Sequence, residues 1–316
     1  MRKEKKRLGM KREIREERKR EERVSLTVTV GILIIIIFVS GFLFNSMRNQ
    51  PSTSQPINST SEPKAAIVDH LSLTCPSQTF IQSATDNLEQ AGYTVDYYPG
   101  EEVTVEFYRN LPTHGYKMII LRVHSSARDI GGTESPVALF TSERVSQTKY
   151  VYETLTDQLL GVAFSEEEAK KGIGYFGISP SFVTQGMKGE FQNTVIIMMG
   201  CEGLDNPSMA KAFVEKGAKV YISWNQQVSA SHTDAATTHL LQHFLIEKLT
   251  LKKSVQEIFK EVGFDPLYKS LLIYYPLEAG DYTIQSIASN LSVNNVEIQQ
   301  KVLSEKRKIN NHQVWV

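Results

Sequence analysis

The chain has 316 residues, 41% hydrophobic and 22% charged, which supports a sizeable folded core and excludes a disordered or fibrous polypeptide. Its formal net charge of zero conceals an asymmetry, because residues 1–23 hold 12 Lys or Arg against 6 Glu. The amino end is therefore a basic tail and the remainder is mildly acidic.

Residues 24–44, VSLTVTVGILIIIIFVSGFLF, are uncharged. At about 1.5 Å rise per residue, a run of this length covers a bilayer core of about 30 Å, so a transmembrane helix is predicted here. The run ends in Phe42, Leu43 and Phe44 instead of the small residues of a cleavage site, which predicts a retained signal anchor. With the basic cluster before the span and only Arg48 just after it, the tail is expected in the cytoplasm and the main domain on the far side. The tail could lie on anionic lipid or stand solvated with Glu/Arg pairs.

Residues 45–63, rich in Pro, Ser and Thr, read as a flexible linker. Asn58 and Asn290 begin short matches to the glycosylation acceptor pattern. The folded domain is expected over 64–280, followed by a small helical appendage over 281–316. In that appendage the apolar rhythm of a helix-turn-helix meets a basic end. On the far side of a membrane no genomic DNA is present, so no nucleic-acid partner is expected.

The domain alternates strand and helix. Residues 65–73 predict a strand, Pro76 opens a helix ending at Gly92, and YTVDYY predicts a second strand closed by Pro99-Gly100. Residues 101–112 read as helical, and YKMIILRVH is a third, almost wholly apolar strand ending at His124. Residues 125–136 read as loop, 137–145 as a strand pair, and 149–191 as mixed. A further unit runs from Val195 through a helix near Pro207, ending at Gly217, to the strand KVYISW. Two helices, over 234–249 and 254–263, and a last strand in SLLIYYPL complete it. Such alternation predicts an α/β fold with a mostly parallel sheet flanked by helices.

Two apolar strands thus end in reactive groups, His124 and Cys201, and the carboxyl ends of strands are where sites gather in open α/β sheets. An imidazole beside a thiol can take its proton and later protonate a leaving group. The alternative is a cysteine that packs as a small hydrophobe. Backbone N–H groups near Ser125 and Cys201 would supply the donors that an oxyanion needs. The second cysteine, Cys75, also follows a strand. With one strand between the two, they should lie about 10 Å apart, beyond the reach of a disulfide, so two free thiols are expected.

An apolar strand ending in His, then one ending in Gly-Cys-Glu, a helix, Gly-Ala, an apolar strand and Trp, resembles the caspase-like cysteine peptidases. That group includes caspases, legumain, gingipains, separase and CHAT domains. The likeness is sharpest over residues 195–224, GCEGLDNPSMAKAFVEKGAKVYISW at its centre. It implies His124 as general base and acid, Cys201 as nucleophile, and Gly200 as the residue permitting a tight turn. It further implies peptide or protein substrates and no cofactor. Those peptidases usually carry Gly after the His, whereas here Ser125 adds a Cβ that could narrow the approach. A non-catalytic module binding peptides in the same cleft is the alternative.

Asp69, Glu202 and Asp205 are expected near strand ends, where they could select a basic side chain or could simply serve a helix amino terminus. His232, His239 and His243 fall on one helix face at i, i+7 and i+11, with Asp234 near, a zinc-like spacing without the metalloprotease Glu. Metal binding by these histidines is the alternative; a packing or cleft-lining role is the plainer reading. His70, His114 and His312 show no evident partners in the sequence.

Overall fold

The computed structural model describes residues 62–288, apart from 128, 131, 132 and 135. The predicted basic tail, the membrane span, most of the linker, Asn58, Asn290, His312 and all but the start of the appendage lie outside the described residues. Among the described residues no helix is long and apolar enough to cross a membrane.

The fold is α/β, with a mostly parallel sheet flanked by helices. Chain order gives β1 (Lys64–Asp69), α1 (Gln78–Gln90), β2 (Thr94–Pro99), α2 (Val105–Asn110) and β3 (Met118–Arg122). Short strands β4 (Ser125–Ser126), β5 (Asp129–Ile130) and β6 (Thr133–Glu134) lead to β7 (Ala138–Arg144). Then come α3 (Val151–Leu155), β8 (Leu159–Val162), α4 (Glu166–Lys170) and β9 (Tyr175–Ile178). The last third holds β10 (Thr194–Met198), α5 (Ser208–Glu215), β11 (Ala218–Trp224), α6 (Ala230–Leu241), α7 (Leu251–Glu261) and β12 (Leu272–Tyr275).

Six strands form the main sheet in the order β12-β11-β10-β3-β1-β2, all parallel except β12, which runs antiparallel to β11. Its central strands β3 and β10 are buried at every position and apolar at all but Arg122 and Thr194, because both faces are covered. On one face Ala66, Val68, Ile119, Leu121, Ile196 and Met198 pack with α2, α5 and the second sheet. On the other, Ile67, Ile120, Ile197 and Trp224 pack with α1, α6 and α7. The helices carry matching stripes: Phe80, Ile81, Ala84 and Leu88 bury one side of α1, whose first turn is closed by the Ser77 hydroxyl accepting the Phe80 N–H.

Several elements depart from the sequence-based expectation. The first strand stops at Asp69 and passes into a single 3-10 turn, His70–Leu73. The helix expected over 101–112 is broken, and α2 occupies only its middle, with Thr104 as its cap. Residues 137–145 form one strand, not two. That strand joins β4, β8 and β9 in an antiparallel four-stranded sheet that absorbs most of the mixed segment. Residues 284–288 begin the appendage as a helical turn, and Ile287 buries against α6 and α7.

Candidate functional site

His124 and Cys201 stand just beyond the carboxyl ends of β3 and β10, which are direct neighbours in parallel register, Leu121 beside Met198. The loops that follow are fastened together. The Ser125 hydroxyl donates to the Cys201 carbonyl at 2.5 Å, and the Ala127 N–H donates to Glu202 Oε2 at 2.7 Å. Gly200 lies so close to the Val123 carbonyl and the Ser125 hydroxyl that a Cβ there would collide with both, which is why glycine precedes the cysteine. Glu202 turns the chain at φ 59°, a left-handed conformation that non-glycine residues adopt at a cost and that clusters at functional sites.

The two reactive groups each have a separate holder. His124 Nε2 bonds Thr74 Oγ1 at 2.8 Å, in the loop after β1. Its ring is walled by Phe164, Phe140 and His70, with centroids 5.3, 6.0 and 6.1 Å away. Burial, and secondarily the Arg122 charge, hold its pKa below the usual histidine value, so the neutral imidazole prevails at pH 7. The half-buried Cys201 Sγ donates to the Val228 carbonyl at 3.6 Å and receives the Val228 N–H at 3.5 Å. Burial pushes its thiol pKa up, with Glu202 and Asp265 adding to the effect and the Val228 bond opposing it. Among the described residues no hydrogen bond joins Cys201 Sγ to His124. The 225–229 loop that holds the sulfur is itself anchored by Asp265, which accepts the Ser229 N–H at 2.9 Å and its hydroxyl at 2.5 Å.

Donors for an oxyanion are nearby. Phe140 N–H donates to the His124 carbonyl at 2.9 Å, which makes that the hydrogen-bonded pair of the β4–β7 ladder. The next pair, Ser125 with Leu139, is then non-hydrogen-bonded, and the Ser125 N–H points away from β7. The Ser125 hydroxyl turns to the Cys201 carbonyl and binds the two loops.

The acidic candidates have other employments. Asp69 is buried at 1% exposure, where Arg122 Nη1 donates to it at 2.7 Å, so it offers no carboxylate to a basic substrate side chain. Arg122 also grips Asp234 through Nε at 2.8 Å and Nη2 at 3.0 Å, and donates to the Cys75 carbonyl at 2.8 Å. Glu202 ties the two loops together. Asp205 is exposed and does not cap the following helix, whose N-cap position is Pro207; Asn206 Oδ1 accepts the Ser208 N–H at 3.2 Å. Thr74, Arg122 and Val228 were not singled out in the sequence. Only Arg122 left a signal, as a lone charge in an apolar strand.

His232 stands apart from the other two histidines of its helix, its ring 5.3 Å from Trp224. His239 and His243 meet at Glu261 instead. Both cysteines are free thiols, and β3 separates the strands they follow.

No family model and no curated protein sequence matches this chain.

Proposed function

We propose that this protein is a membrane-anchored cysteine endopeptidase of caspase-like type, with Cys201 as nucleophile and His124 as general base and acid. The single observation that carries the reading is the junction of the two loops at the ends of β3 and β10, where Ser125, Gly200 and Glu202 fix the backbones of the His and Cys loops against each other.

In the ligand-free arrangement Thr74 holds the imidazole and Val228 holds the thiol. An extended peptide entering between the 74 and 228 loops competes for these polar groups. Catalytic hydrogen bonds that are absent without substrate commonly form in its complex. His124 then takes the Cys201 proton as sulfur attacks the scissile carbonyl carbon, and returns it to the departing amine. The resulting thioester is hydrolysed by a water that His124 deprotonates, which regenerates the thiol. The Ser125 and Cys201 N–H groups face the developing oxyanion. Residues 24–44 anchor the enzyme, with residues 1–23 in the cytoplasm and the catalytic domain on the opposite side, where it meets peptide or protein substrates.

A second reading is a peptide-binding module without hydrolysis, favoured by one observation: both reactive groups are neutral at pH 7 and bonded elsewhere. Reaction of the purified full-length chain with a thiol-reactive peptide ketone separates the two. The peptidase labels at Cys201, with the labelling lost in both Cys201→Ala and His124→Ala. Labelling that is indifferent to His124→Ala leaves only the binding module.

A further inference from the structure

We propose that His239, His243 and Glu261 form a divalent transition-metal site, suited to Zn2+, that clamps α6 to α7 on a part of the fold remote from Cys201. The three ligand atoms all lie within 4.8 Å of one another. Glu261 Oε2 sits 2.7 Å from His239 Nδ1 and 2.9 Å from His243 Nε2, so one carboxylate oxygen faces two imidazole nitrogens. A second carboxylate, Glu247 Oε2, lies 2.9 Å from His243 Nδ1.

That arrangement sets a chemical problem. A neutral His243 that gives its Nδ1 proton to Glu247 turns the Nε2 lone pair on Glu261, and two acceptors at hydrogen-bond distance repel unless a cation or an added proton lies between them. A metal ion resolves this at His243 and can take the His239 Nδ1 lone pair at the same place. The Glu247–His243 pair then becomes the outer carboxylate that fixes the tautomer of a liganding imidazole. Two imidazoles and one carboxylate suit Zn2+, with a water in the fourth place. The side chains of His239 and Glu261 are 46% and 40% exposed, so the fourth place opens to solvent.

Tetrahedral ligands about 2.0 Å from zinc are ~3.3 Å apart, slightly more than the present contacts, and a short withdrawal of the half-exposed Glu261 provides the room. The backbone also singles out this place: α6 does not end regularly but widens into a π-turn, Gln242–Ile246, containing His243. Such turns are frequent at functional sites. His243 lies nine residues beyond Asp234, the partner of Arg122 at the carboxyl ends of the strands, or ~13 Å along the helix. The neighbouring Leu245 and Ile246 line a cavity with Pro63, Gln90 and Tyr93, toward the amino ends of β1 and β2. The role is thus a structural clamp.

The test uses full-length protein stripped with a chelator and titrated with Zn2+ against a chromophoric competitor, with Co2+ as the spectroscopic probe. One equivalent per chain is expected, with intense tetrahedral Co2+ bands and a Tm raised by about 5–10 °C at a hundredfold excess over Kd. His239→Ala and Glu261→Gln abolish the bands. The positioning variant Glu247→Gln weakens binding about 10- to 100-fold while keeping them. A Cys75→Ser/Cys201→Ser double variant binds as the parent does, and His239→Ala keeps its Cys201 labelling. The proposal is overturned if no stoichiometric binding occurs, if binding survives His239→Ala unchanged, or if it disappears with the thiols. His239 is half-exposed, so its variant folds even where replacement of the buried His243 does not.

Discussion

Gly200 carries more of the candidate site than its size suggests, because the backbones of the His and Cys loops meet over its missing Cβ. Gly200→Ala is expected to cost about 1–3 kcal/mol by overpacking and to abolish peptide-probe labelling, both measurable by urea unfolding and gel fluorescence. Ser125→Ala removes the hydroxyl bond to the Cys201 carbonyl and the weaker contact with Met198 Sδ, and is expected to cost about 1 kcal/mol. His70 makes a different kind of contribution. Burial, then the nearby His124 charge, lowers its pKa to about 4 from 6.5. The folded state binds fewer protons than the unfolded one between those values. Its stability is therefore complete above pH 6.5 and falls as pH drops toward 4, by about 3 kcal/mol in all. Unfolding midpoints of His70→Phe, compared with the parent across pH 4 to 7, should lose that part of the slope.

At the scale of elements, Arg122 fastens three pieces that the strands alone leave loose. It stands on β3, pairs with Asp69 of β1, reaches Asp234 of α6 and holds the Cys75 carbonyl in the 74 loop. Its charge is only 1% exposed and the carboxylates around it are mostly buried, so the three are tolerable together and costly apart. Arg122→Met should destabilise by about 3–5 kcal/mol in denaturant titration, and adding Asp69→Asn and Asp234→Asn should recover much of the loss. Because the same guanidinium fixes the loop carrying Thr74, the single variant should also alter peptide labelling at Cys201.

For the whole molecule, the separate holders of His124 and Cys201 make reagent size informative. Iodoacetamide meets an unactivated thiol, so its rate should be slow at pH 7, rise through and beyond the ordinary thiol range and be unchanged in His124→Ala. A peptide ketone that occupies the cleft should react rapidly at neutral pH and depend on His124. The proposed anchor makes an independent prediction. Full-length protein should stay with membranes in alkaline carbonate, removal of residues 1–44 should release it, and protease added from the cytoplasmic side should spare the domain.

The sequence alone determined that this is an alternating α/β chain and that His124 and Cys201 end apolar strands, because strand and helix periods and strand-ending polar residues are local signals. The adjacency of those strands follows from the expected parallel sheet and is borne out, whereas the antiparallel course of β12 and the second sheet across residues 125–178 came from pairing between distant segments, which no local pattern encodes. The roles of particular side chains were likewise tertiary. Asp69 could as well select substrate but for Arg122, which pairs with it in the interior, and His239 and His243 take their carboxylate partner, Glu261, from a helix 22 and 18 residues further along. A side chain's identity sets what it can do; its neighbours across the fold, through burial and hydrogen bonding, decide which of those things it does.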